Sequence, residues 1–363
     1  MRPLALALLA SLAPAAAAAD PSVTILPLPF AVAEFRGPES RAATIAPSMD
    51  ALRGSRPAAA GPLVVVWGGD DGAALTLSGD RVQVIPMRGS AGDLAAAERG
   101  RASIPESRVT VAGPLSASLT DPTPDQPHRA LGSRTQARTI TIGERRPVPP
   151  GPDPRPVPLE TTRVEAGEGA VFEDREVRAD GAPGGRSPVL VTIKSYKERG
   201  AALVIIDRRD GVWQVAAETA PTGEPETWLN PAALWRPQGG GALQIALVAR
   251  PHGDGLLQLW SYEGGRLTLL GEKAGYSNHA FGRAAQDLAA RLEPGEDGRQ
   301  VIAIPSLDRS SLALVSLAGG EIVERARVAL PARAATGVAR LGRGRDTHIL
   351  VGLEDGRVVD VRP

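Results

Sequence analysis

Few side chains in this sequence can do chemistry, and their spacing narrows the field further. There is no cysteine among the 363 residues, which excludes thiolate catalysis, a disulfide and a Cys-ligated metal. The four histidines, His128, His252, His279 and His348, show no metal-ligand spacing. Imidazole is the usual general base near neutral pH. His252 and His279, with Asp254 to orient a ring and Lys197 as a cation, form a set from which a hydrolase or lactonase could be built. Gly275-Tyr276-Ser277-Asn278-His279 resembles a nucleophile elbow, but its final glycine is replaced and no strand-to-helix pattern surrounds Ser277. Gly342-Arg343-Gly344 lacks the third glycine and the following helix of a dinucleotide loop, so it reads as a turn. With 41 basic and 41 acidic side chains, no cationic excess is available to hold nucleic acid.

The elements that must position these groups are strands. Short apolar runs are followed by a polar or glycine-containing turn and a second apolar run: Leu63 to Trp67 then Ala73 to Leu77, Val189 to Ile193 then Ala201 to Ile206, and Ile245 to Ala249 then Leu256 to Trp260. The pattern continues with Val301 to Ile304 then Leu312 to Leu317, and with Ile349 to Val351 then Val358 to Val361. Alternation, β-branched enrichment and the turn residues mark hairpins. Their first strands start at Val189, Ile245 and Val301 at equal spacing, with Ile349 somewhat closer. A third strand follows each fuller hairpin (Val212 to Ala216, Arg266 to Leu270, Glu321 to Arg325), and a small-residue strand precedes the next (Pro231 to Trp235, Thr336 to Leu341). Four strands per repeat of roughly 50 residues is the period of a β-propeller blade. A sandwich of unrelated strands would have no reason to keep it.

The expected fold is therefore an all-β propeller of six or seven four-stranded blades. Residues 61–363 form the propeller, with a weaker unit running from Val109 through Thr139 to Ile142. Residues 20–60 form an extended lead-in that closes the ring by completing the last blade, since closure removes exposed sheet edges. Proline is too dense in 145–158 to join a ladder, so that stretch reads as a loop or linker. Gly282 to Arg291 fits a helix or an inner strand. Residues 1–19 read as a secretory signal: Arg2, an apolar run from Leu4 to Leu12, and Ala17 to Ala19 before Asp20. That run is shorter than the ~20 residues a bilayer requires, and no later segment could span one. The expectation is a periplasmic or secreted protein.

The stretch from Val189 to Asp360 resembles the bacterial VCBS/FG-GAP-repeat propellers, whose blades are similar to those of the integrin α-subunit head. The resemblance implies a calcium site, Asp-x-Asp-x-Asp-Gly, in the loop between the first two strands of a blade. The matching loop is clearest at Glu293-Pro294-Gly295-Glu296-Asp297-Gly298. Calcium needs 6–8 oxygens. Here Gly295 replaces the middle acid, leaving Glu293 and Asp297, and the stretches Arg236 to Gly241, before Ile245, and Arg340 to Arg345, before Ile349, carry no acid. They read as decayed calcium loops, and no cofactor is expected.

Loops at one end of a propeller surround its axis, so equivalent loop positions converge. Tyr196 and Lys197, Trp228 and Asn230, His252 and Asp254, and Tyr276, Asn278 and His279 all fall in such loops or at their edges. Aromatic, amide and charged groups together suit a recognition surface. The leading expectation is a non-catalytic scaffold that binds a protein or small ligand on this face. The hydrolase or lactonase is the alternative, and it requires His252 and His279 to approach within ~10 Å, the span of one small substrate.

Overall fold

The computed structural model describes residues 21–49, 61–100, 104–125, 129–146, 157–180, 188–237 and 240–362. The signal-like residues 1–19, His128 and most of the proline-rich run lie outside them. The protein is all-β, with 53% of residues in strands and 7% in helices.

The strands form antiparallel sheets in chain order. Sheet I comprises Glu34–Arg36, Val64–Gly68, Asp71–Ser78 and Arg81–Met87. Sheet II has nine strands. It is two smaller units joined where Phe172 pairs with Ala137. The first unit contains Thr110–Ala112, Leu115–Thr123, Gln136–Arg145 and Leu159–Glu165. The second contains Ala170–Phe172, Arg178–Ala179, Leu190–Tyr196, Gly200–Arg209 and Val212–Glu218. Sheet III runs through Leu229–Trp235, Leu243–Ala249, Leu256–Glu263 and Arg266–Lys273. Sheet IV contains Ala290–Arg291, Gln300–Pro305, Ser311–Ala318 and Glu321–Ala329. Sheet V contains Ala334–Leu341, His348–Leu353 and Val358–Arg362, and its fourth strand is Ser22–Ile25, paired with Val358–Arg362.

Burial explains why these residues form these strands. In sheets I, III, IV and V the second strand is covered on both faces, so Val64-Val65-Val66 reads as an unbroken apolar run and is fully buried; Leu190-Val191-Thr192-Ile193 of sheet II is buried likewise, its Thr192 hydroxyl donating to Asp174 at 3.3 Å. The outermost strands instead alternate, as in Glu321–Ala329, where charged side chains face solvent. The hairpin turns Gly264-Gly265 and Gly319-Gly320 place both central residues at positive φ, which glycine adopts without strain and which matches the strand twist. One register shift recurs at the same place in three sheets: Ile205/Ile206, Leu259/Trp260 and Leu314/Val315. Pro231 sits at a further shift on an inner edge strand, where no ladder donor is needed.

Apolar clusters join neighbouring sheets face to face. One unites the two units of sheet II, and others bind sheet II to III, III to IV and IV to V. Another packs Ala339, Leu341, Leu350 and Val358 of sheet V against Phe35, Val64 and Val66 of sheet I. First and last sheets are therefore in contact.

Two helices depart from the strand-only expectation for the N-terminal region. Arg41–Ile45 is capped by the Ser40 hydroxyl, which accepts from Ala43 N at 3.1 Å. The second helix is Ala91–Arg99, and its Glu98 carboxylate accepts from Ala42 N at 2.9 Å, tying the two together. Ala42, Ala46 and Leu94 pack on Val65, Trp67 and Met87 of sheet I. Alanine-rich segments with little apolar periodicity gave no helical signal of their own, and packing on the sheet selects the helix. Gly282 to Arg291 is not a helix; only Ala290–Arg291 is regular, and it pairs with Ile302 and Ala303.

Candidate functional site

The loops between second and third strands, and those leading from one sheet into the next, bring several expected residues together. Sheet III supplies His252 from its 250–255 turn and Trp228 from the approach to its first strand, while His279 and Phe281 come from the connection to sheet IV. His252 Nε2 and His279 Nδ1 are 2.8 Å apart, and the rings lie 5.0 Å apart at 62°. Trp228 lies parallel to His252 at 6.3 Å and edge-on to His279 at 4.8 Å. Phe281 meets His252 edge-on at 5.1 Å.

Hydrogen bonding fixes the tautomers. His279 Nε2 lies 2.8 Å from the Arg283 carbonyl, which can only accept, so Nε2 carries the proton. Nδ1 of His279 must then accept from His252 Nε2–H, leaving the His252 lone pair on Nδ1. Burial pushes His252 down to about 4, with Arg309 contributing. It pushes His279 down to about 3, with the neighbouring His252 adding to the effect. Both rings are neutral at neutral pH. His279 is wholly buried with both nitrogens engaged. His252 and Phe281 are the exposed members.

The other expected residues are placed differently. Asp254 does not orient His252; it is held by Arg250 through bonds of 2.8 and 2.6 Å. Lys197 is exposed and lines a separate pocket of about 580 Å³ with Asp121, Asp125, Arg138 and Glu168. Tyr196 donates to Glu218 and lies beneath Arg199 at 4.0 Å. Tyr276 is buried and donates to Glu324 at 2.9 Å; burial raises its hydroxyl well above the usual range. Asn230 and Asn278 clasp each other's backbone: each amide donates to the other's carbonyl at 2.9 Å, both fully buried. Trp228 is 2% exposed, and its indole donates to the Glu173 carbonyl at 3.0 Å. Within the aromatic cluster, His252 reaches solvent beside Phe281, with His279 and Trp228 as its floor; Asp254 and Lys197 are exposed as well, but Asp254 is held by Arg250 and Lys197 lines the separate pocket. The Ser277 hydroxyl is also buried, donating to the Pro251 carbonyl at 2.8 Å.

Two polar constellations escaped the sequence reading. Arg108, from the loop before sheet II, makes a two-pronged bond to Asp287 at 2.7 and 3.1 Å and meets Glu176 at 2.9 Å. Arg36 of sheet I approaches Asp287 at 3.9 Å and Glu98 at 3.8 Å. Burial opposes the charge on Asp287, but Arg108 holds that carboxyl well below the usual range. Burial raises Glu176. These groups come from regions far apart in sequence, and no local spacing announces them. Within sheet V, buried His348 donates through Nδ1 to Asp360 at 2.8 Å. Its register partner Leu341 and the equal burial of Asp360's neighbours place that pair inside the sheet.

The calcium-like loop brings its acids to arginines. Glu293 pairs with Arg340, and Asp297 with Arg325 and, at 3.6 Å, Arg299. Among the described residues no group of three or more His, Asp or Glu side chains is arranged to hold a metal ion. No helix among them is long and apolar enough to cross a membrane.

No protein-family model matches the chain, and no curated protein matches its sequence. Solved structures do. Trypanosoma rangeli sialidase is similar at 15% identity and TM-score 0.41 over 83% of this chain, which spans 52% of the sialidase's length. The six-bladed β-propeller lectin of Aleuria aurantia is similar at 13% identity and TM-score 0.37, covering 82% of this chain and 85% of the lectin. A putative 6-phosphogluconolactonase from Bacteroides fragilis is similar at 11% identity and TM-score 0.38, covering 82% and 90%.

Proposed function

We propose that this chain is an exported β-propeller of six blades, closed by its N-terminal strand, that serves as a non-catalytic recognition scaffold through its loop face. Sheets I, III, IV and V each supply one blade and sheet II supplies two, which makes the ring six-fold. The VCBS/FG-GAP kinship belongs to the same proposal, with arginine pairs standing where the calcium loops would hold an ion.

The observation that carries the reading is the state of the His252–His279 pair. A general base needs an accessible nitrogen with a usable pKa. His279 has neither, and the groups that would assist His252 as a catalyst are engaged elsewhere, Asp254 with Arg250 and Lys197 in another pocket. What remains is an exposed aromatic on a rigid aromatic floor, the composition of an interaction hot spot. The lactonase alternative draws on the same contact, since the imidazoles do meet.

The test is affinity purification of the mature chain from a periplasmic extract, with mass spectrometry for proteins and small molecules. Phe281→Ala should abolish capture while leaving the melting temperature unchanged. Capture that survives both Phe281→Ala and His252→Ala would remove this face from the function. Hydrolysis of a lactone panel that is lost in His252→Ala would establish the alternative.

A further inference from the structure

The hydrogen bonds of the aromatic cluster run in one direction. The Arg283 carbonyl has lone pairs and no proton, so it takes the Nε2–H of His279 at 2.8 Å. Nδ1 of His279 is then an acceptor and takes the Nε2–H of His252, also at 2.8 Å. A neutral imidazole carries one proton, so Nδ1 of His252 is left with a lone pair and can only accept. It has no partner among the described residues, and His252 is exposed. A backbone carbonyl thus dictates, through two rings, the polarity of one atom at the surface.

The turn that carries His252 is held stiffly. Arg250 N donates to the Trp228 carbonyl at 2.9 Å, and the N–H groups of Gly253 and Gly255 return to the Arg250 carbonyl at 2.9 and 3.1 Å. The Ser277 hydroxyl anchors Pro251 from below. Charged groups of this turn and the next are bound within their own loops. Arg250 holds Asp254, the hydroxyls of Ser306 and Ser310 hold Asp308, and Arg309 donates to the Ala334 carbonyl. Two exposed apolar groups stand beside the free acceptor. Phe281, 66% exposed, meets the His252 ring edge-on. Leu307, 39% exposed, lies against the end of the same turn, where a Cβ on Gly255 would stand 2.6 Å from its Cδ1.

One acceptor beside an aromatic and an aliphatic group matches an aromatic ring with a donor on its rim. A saccharide brings many hydroxyls, each needing a partner once it leaves water. A carboxylate would set lone pair against lone pair. We propose that His252 and Phe281 receive a tyrosine or tryptophan side chain of a partner protein, its ring against Phe281 and Leu307 and its O–H or N–H donating to His252 Nδ1. This rests on the loop-face reading above and gives it a partner chemistry. Because the turn is fixed before contact, little ordering accompanies binding.

NMR of the intact chain with nitrogen-labelled histidine tests the proposal in two ways. At neutral pH the rings of His252 and His279 should both be protonated at Nε2 alone; a proton on His252 Nδ1 would overturn the proposal. In titrations followed by the same signals, N-acetyltyrosinamide should bind about three- to tenfold more tightly than its O-methyl counterpart or N-acetylphenylalaninamide, neither of which has a donor on its ring. Phe281→Ala should weaken all three. His252→Phe, which keeps a ring and loses the acceptor, should bind them alike. His252→Gln, whose amide can donate to His279 and still accept, should retain the preference. Equal binding of the three by the intact chain, or a preference that survives His252→Phe, would overturn the proposal. So would a methyl glucoside that binds more tightly than any of them and is lost in Phe281→Ala, which would name a saccharide instead. If the tyrosine derivative fails to bind while Phe281→Ala still abolishes partner capture, the partner chemistry is wrong and the loop-face reading survives.

Discussion

Lowering the pH should destabilise this protein through His279, and the size of the effect follows from its surroundings. An unfolded histidine titrates near 6.5, whereas burial beside His252 pushes His279 to about 3 in the fold. Above the unfolded value both states are neutral and the ring contributes no pH dependence. As pH falls below it, the unfolded chain takes up a proton that the folded chain refuses, so stability drops until the folded value is reached. Each unit is worth about 1.4 kcal/mol, so going from about pH 6.5 to about pH 4.5 costs about 2–3 kcal/mol from this residue alone. His252 acts in the same direction, but its exposure reduces its share. The assay is urea unfolding followed by tryptophan fluorescence at several pH values, for the native chain and for His279→Gln. Glutamine can still donate to the Arg283 carbonyl but does not titrate here. The variant should be less stable at neutral pH and should show a shallower fall on acidification. Parallel pH profiles for the two proteins would refute the argument, because the buried carboxylates common to both cannot distinguish them.

Trp228, which the sequence places on a recognition loop, is almost completely buried, so Trp228→Ala should cost about 3–5 kcal/mol in urea unfolding. Trp228→Phe, which removes only the bond to the Glu173 carbonyl and part of the ring, should cost about 1–3 kcal/mol. Asp287→Asn should cost about 3 kcal/mol by leaving Arg108 with Glu176 as its nearest carboxylate, and a double replacement of Arg108 and Asp287 by apolar residues should recover part of that loss.

The fold was largely legible because its signals are local and repeated. Apolar runs such as Val189 to Ile193 and Ile245 to Ala249, each followed by a polar turn and a partner strand, recur at a spacing that independent strands would not keep. Where that repeat is degraded the sequence shows only a weak unit from Val109 to Ile142, in which the structure has the strands Thr110–Ala112, Leu115–Thr123 and Gln136–Arg145. The helix Ala91–Arg99 has no such signal, because alanine carries little amphipathic pattern and its helicity here comes from packing on sheet I. The site was less legible. Loop equivalence correctly drew His252, His279 and Trp228 together. It could not say which would be buried, and so counted Tyr276, Asn230 and Asn278 as surface groups when they are interior clasps. Phe281 is the most exposed of the large apolar side chains among the described residues, and no local sequence signal sets it apart from its buried aromatic neighbours. The Arg108–Asp287–Glu176 cluster is assembled wholly by topology, across separations that no motif spans.

All of these loops share a face only if the sheets form one closed ring. Leu26 N donates to the Val358 carbonyl, so Val23 and Val361 form one of the close, non-hydrogen-bonded pairs of the closing strands. A disulfide fits that geometry, and the natural chain has no cysteine to compete. In the Val23→Cys, Val361→Cys double variant, mild oxidation should give a monomeric, intramolecularly bridged chain that melts at a higher temperature than its reduced form. Free thiols after oxidation, or bridging only between molecules, would mean that the two ends of the chain do not meet.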